Sequence, residues 1–129
     1  MKDLLPHSKH DLARAREIAL LGFPNVAPIM PDILIWCQDS NWPVAHILTE
    51  FVASIGASAA PYIADVLRGN DDSWKWHVLS AIVAQSDAIA LSLVNELERI
   101  AFSPSVGEVE EEVVERALHI LKDNLNYKI

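Results

Sequence analysis

Apolar residues recur along this chain at intervals of three and four almost from end to end. Val44, Ile47, Leu48, Phe51, Val52 and Ile55 fall at i, i+3, i+4, i+7, i+8 and i+11, one continuous helical stripe. Ser40 or Asn41 stands where an N-cap belongs, Pro43 sits in the first turn, and Gly56 supplies a stop. The same reading predicts an earlier helix over residues 9–21, capped by Ser8 and ended by Gly22, with Leu12, Ala15, Ile18 and Ala19 on one face. A helix over 26–37 is apolar nearly all round, which predicts that it is sandwiched. Its Pro31 requires a late start or a bend. Further helices are predicted over 60–68, 73–84, 87–102 and 108–124, the last with Val114, Ala117, Leu118, Leu121 and Leu125 inward. No strand signal separates these seven helices, which excludes a parallel α/β fold.

The chain also resembles itself. Ala27-Pro28-Ile29-Met30-Pro31-Asp32-Ile33-Leu34 aligns with Ala60-Pro61-Tyr62-Ile63-Ala64-Asp65-Val66-Leu67 at an offset of 33. Asp39-Ser40-Asn41-Trp42 aligns with Asp71-Asp72-Ser73-Trp74 at an offset of 32, and that register pairs Val44 with Trp76, Ile47 with Leu79 and Phe51 with Val83. Helix pairs repeating at this period signify an α-solenoid. The expected organisation is one domain over 1–129, with a capping helix (1–24), repeats at 25–56 and 57–85, and a degenerate third repeat at 86–129.

The run Asp71-Asp72-Ser73-Trp74-Lys75-Trp76-His77-Val78-Leu79, after a short Pro-led helix, resembles the HEAT repeats, above all their short bacterial form. With Asn41-Trp42-Pro43-Val44-Ala45 and the acidic run near the end, the whole chain is similar to small uncharacterised bacterial HEAT-like proteins. The resemblance implies an all-α, short right-handed solenoid, a role in protein–protein contact, and no catalytic residues or cofactor. It also implies that the second helix of each pair lines a concave surface.

Charge narrows the partners. The 129 residues carry 10 Lys+Arg against 18 Asp+Glu, a net charge of −8, which argues against nucleic acid as a ligand. Half the residues are apolar (51%), too many for a disordered chain. The start of the chain has no apolar signal core, and no long uncharged apolar run stands out, so the expectation is a cytoplasmic protein without a membrane partner. A single cysteine, Cys37, rules out an internal disulfide and reads as a small buried hydrophobe.

Candidate chemistry is sparse. Neither GxxxxGK[ST] nor GxGxxG occurs, and Gly22, Gly56, Gly69 and Gly107 read as isolated stops. Asp39 and Asp71 read as helix-start residues, with Trp42 and Trp74 packed at equivalent corners. Trp76 is expected in the core, and Trp74 partly exposed and available to a partner. His46, His77 and His119 fall on the polar sides of second-in-pair helices, a row that offers a metal-binding or enzymatic alternative. Glu108, Glu110, Glu111, Glu112 and Glu115 form an acidic run beyond what capping a helix requires. The leading expectation is a non-enzymatic module that holds another protein, with an immunity protein that neutralises a basic toxin as its narrower form. The expected contact face comprises His46, Thr49, Glu50, Trp74, Lys75, His77, Glu111, Glu112, Glu115 and His119, with no catalytic, cofactor or metal residues assigned.

Overall fold

The computed structural model describes residues 1–129, and every regular element in it is helical. The α-helices are α1 (Leu12–Leu21), α2 (Met30–Ile35), α3 (Pro43–Ile55), α4 (Ala60–Leu67), α5 (Asp72–Ala81), α6 (Asp87–Ser92), α7 (Val94–Phe102), α8 (Val106–Glu110) and α9 (Val113–Asp123). Nine segments replace the seven expected because the last two expected helices are each broken. Leu93 leaves helical geometry and its side chain is buried, so α6 lies against the turn after α3 while α7 runs along α9. Glu112 adopts a left-handed conformation (φ 60°), which separates α8 from α9.

Local chemistry places the starts. Asp11, not Ser8, caps α1, because its carboxylate accepts the backbone N–H groups of both His7 (2.9 Å) and Arg14 (3.4 Å). The residues ahead of it stay non-helical, and the Lys9 carbonyl is free to accept the Val44 N–H at 3.1 Å, tying the chain start to α3. Pro31 lies in the first turn of α2, which starts late after the 3-10 turn Ala27–Ile29. Ile35 of α2 is exposed, so this helix is not enclosed on every side. Gly56 (φ 77°) ends α3, yet the chain passes through the 3-10 turn Gly56–Ala59 directly into α4. By length and composition the run Pro43–Leu67 is apolar enough to cross a bilayer, but Val44, Leu48, Phe51, Val52, Ile63 and Leu67 are buried at the centre of the core.

α1 lies against α3, α3 against α5 and α5 against α9, while α2 lies against α4, α4 against α5 and α7 along α9. One cluster of 31 buried residues runs through the molecule, so α1 and α9 belong to the same core.

Burial reveals the register between helices. Val44, Leu48, Phe51 and Val52 of α3 are buried, as are Val113, Ala117, Ile120 and Leu121 of α9 at the same spacing. On α5 and the turn after it the matching set is Lys75, Leu79, Ile82 and Val83. The offset between α3 and α5 is therefore 31, one less than the sequence alignment suggested. On α9 Ala117 and Leu121 are buried as expected, but Val113 and Ile120 are buried in place of Val114 and Leu118.

Candidate functional site

The shifted register explains the most unusual side chain in the molecule. Lys75 occupies the position held by Val44 on α3 and Val113 on α9, and it is buried. A buried ammonium is costly unless paired, and this one has two partners. Its Nζ lies 3.1 Å from Glu108 Oε2, in a hydrogen bond. It also lies 2.8 Å from Asp72 Oδ1, in an ion pair too poorly aligned for a hydrogen bond.

Glu108 is the hub of this network. Its Oε1 accepts from the Ser105 backbone N–H (2.8 Å) and Arg99 Nη1 (3.0 Å), and its Oε2 accepts from Arg99 Nη2 (2.6 Å) and Lys75 (3.1 Å). Ser105 Oγ in turn accepts the Glu108 N–H, completing a capping box at the start of α8. Burial alone raises the pKa of this carboxyl, but the bonds from Arg99, Ser105 and Lys75 outweigh it and hold the group at about 2. The Glu108 contacts in turn raise the pKa of Arg99. Arg99 also donates to the Leu67 carbonyl at 3.4 Å, so the network joins α4, α5, α7 and α8. Gly107 belongs to this arrangement and is not a helix stop: it lies inside α8, and a Cβ there would collide with the Asp72 carboxylate.

On its outer side the same network borders an open cleft of about 620 Å³ with no apolar side chain in its lining. Its three cations, Arg68, Lys75 and Arg99, are matched by Asp72, Glu96 and Glu108, and Arg68 Nη2 lies 2.6 Å from Glu96. The charges in this cleft are engaged with one another.

The remaining expected contact residues fall into two groups. Lys75 is withdrawn from the surface, as is Glu108 from the acidic run. Thr49 is buried because it faces the α3 core and donates its hydroxyl to the Ala45 carbonyl at 2.6 Å. Trp74 is half-buried, with its indole N–H given to the Leu34 carbonyl at the end of α2 (2.9 Å). Trp76 is also only half-buried, because its expected core position belongs to Lys75. Trp42 and Trp74 are not equivalent: Trp42 packs edge-on against Trp36, ring centroids 6.0 Å apart, and Asp71 but not Asp39 caps a helix. His77 is half-buried, with its Nδ1 accepting the Ser40 N–H (3.1 Å) and lying 2.7 Å from the Ser40 hydroxyl. Cys37 is buried, and its thiol is pushed up to about 12 by that burial.

His46, Glu50, Glu111, Glu112, Glu115 and His119 are exposed. The three histidines do not converge: nowhere do three His, Cys, Asp or Glu side chains meet in a group able to hold a metal. His119 instead accepts from Arg116, 2.6 Å away. Glu110, Glu111, Glu112 and Glu115 take part in none of the ion pairs, which lie elsewhere in the molecule.

A family model described as a domain of unknown function (DUF5071) matches residues 4–121. The chain belongs to this family. The DUF5071 match takes in α1 to α8, most of α9, and the whole of the Lys75–Glu108–Arg99 network. A search of curated proteins returns no match.

The sequence reading missed this network because it took Glu108 as part of an exposed acidic run and Lys75 as part of a polar contact face. The signal was nonetheless present: a helix opening with Ser105 and Glu108 at capping-box spacing, beside an Arg nine residues upstream.

Proposed function

We propose that this domain is a non-enzymatic, HEAT-like interaction module that binds a basic protein partner through its acidic end. Support for the HEAT-like reading comes from the successive contacts of α1, α3, α5 and α9 and from the shared buried spacing of α3, α5 and α9. In such a stack these three helices form one face, and the curvature of the stack makes that face concave.

The observation that carries the binding reading is the set of unpaired carboxylates. Glu110, Glu111, Glu112 and Glu115 are exposed and unneutralised at one end of a chain with net charge −8. Fixed charges of one sign on a surface raise the encounter rate with a partner of the opposite sign. A basic toxin held by an immunity protein is the narrower form of this reading.

The test is affinity capture from the source cell, then association kinetics of the captured protein at low and high salt. Glu111→Lys/Glu112→Lys/Glu115→Lys is expected to slow association with the fold intact, and salt is expected to slow the wild type. A partner that binds the reversed protein equally fast, without salt dependence, contradicts the proposal.

A further inference from the structure

We infer that α8 and the end of α7 are a docking site for a basic amphipathic segment of a partner protein, one with apolar residues set among Lys or Arg. This rests on the reading of the chain as an interaction module and names where and what it binds. The observation is that α8 is inside out. Of its two glutamates, Glu110 is solvated but Glu108 is 0% exposed, whereas Val106 and Val109 are 74% and 54% exposed. These valines are three residues apart and share a face. Phe102, four residues upstream at the end of α7, is 56% exposed. An ordinary surface helix buries such residues and solvates its glutamates.

The inversion is fixed by bonding. Glu108 faces inward to Lys75 and Arg99, and Gly107 faces Asp72 so closely that a Cβ there would displace the Asp72 carboxylate. Rotating α8 to bury the valines would break these charged hydrogen bonds. The apolar face is therefore held rigidly in solvent, and Glu110, Glu111 and Glu112 follow it directly, exposed and unpaired. An apolar centre with a charged rim is the composition of a protein-binding patch.

Charge selects the occupant. A second copy of this chain would bring the same carboxylates face to face. An anionic bilayer or a nucleic acid would meet the same repulsion. A segment that presents apolar side chains to Val106, Val109 and Phe102, with Lys or Arg flanking them, satisfies both features at once.

The probe is a fluorescein-labelled amphipathic peptide built only of leucine and lysine, with a leucine–glutamate peptide of the same pattern as control, read by fluorescence anisotropy. Wild type is expected to bind the first and not the second. Val106→Ser/Val109→Ser is expected to weaken binding by about tenfold or more. Glu110→Gln/Glu111→Gln is expected to weaken it most at low salt. Leu20→Ser/Leu91→Ser, which removes exposed apolar residues from other helices, is expected to leave it unchanged, and circular dichroism checks that each variant is folded. Equal weakening by both serine pairs, or none from the α8 pair, overturns the site. So does a dimer in light scattering that disappears in Val106→Ser/Val109→Ser, or binding to phosphatidylglycerol vesicles through these valines. A captured partner that binds Val106→Ser/Val109→Ser as tightly as wild type removes this site and leaves the interaction module standing. A partner whose association ignores salt and the glutamates removes the module reading itself.

Discussion

Lys75 and Glu108 are both buried and both charged, but they do not depend on each other equally. Without Lys75, Glu108 still has Arg99 and the Ser105 N–H. Without Glu108, Lys75 keeps only the poorly aligned Asp72. Glu108→Leu is therefore expected to cost about 3–5 kcal/mol, the range for stranding a buried charge, and Lys75→Met clearly less, both read by urea denaturation. Equal losses would mean that the pair acts alone and Arg99 adds nothing. The network also fixes a pH dependence. Folding lowers the pKa of Glu108 from 4.5 to about 2, so its stabilisation is complete above the unfolded value and is lost as pH falls through that window. The full loss is on the order of 3 kcal/mol. Denaturation at stepwise lower pH should show it in the wild type, and Glu108→Gln should flatten that part of the curve. The capping-box spacing of Ser105 and Glu108 was legible in the sequence, but the burial of Lys75 against Glu108 was not, because Lys and Glu look alike in sequence whether solvated or paired.

Individual helices were more legible than their boundaries. The α3 stripe was read directly, since Val44, Leu48, Phe51 and Val52 are buried at helical spacing and Ile47 and Ile55 pack against them. Phe51→Ala is expected to cost about 3 kcal/mol, measured as a lower melting temperature, and an unchanged melt would remove α3 from the core. The α3–α5 register was misread by one residue because the alignment relied on the matching Asp-x-x-Trp corners. Asp71 caps a helix that starts at Asp72, whereas α3 starts only at Pro43, after an uncapped Trp42. One residue of slip turns a helix by 100°, enough to place Trp76 in the core on paper and Lys75 there in fact. The break between α8 and α9 was hidden because Glu112 is not a residue that marks left-handed turns. Glu112→Gly should consequently raise stability, by up to about 1 kcal/mol, and a loss would show that its side chain makes a stabilising contact. Gly107→Ala should lower it by about 1–3 kcal/mol through the collision with Asp72, and an unchanged melting temperature would mean that α8 is free to shift.

For the molecule as a whole, the all-helical class and the excess of negative charge were readable from composition and periodicity alone. The placement of that charge was not. The row of histidines and Lys75, which the sequence offered as a contact face, is divided between solvent and interior. Four of the free glutamates, Glu110, Glu111, Glu112 and Glu115, lie around α8 and the start of α9, with Glu17 and Glu50 elsewhere. The buried network does more than stabilise: it holds the valines of α8 outward, beside the free carboxylates. The account thus stands on where a basic partner touches the chain. The most direct measurement is a backbone amide chemical-shift map of the labelled protein titrated with the captured partner. The account predicts the largest shifts at Phe102, Val106, Val109 and Glu110 to Glu112, with Leu20 and Leu91 unmoved. Shifts centred on His46 and Glu50 of α3, with α8 unaffected, would contradict it.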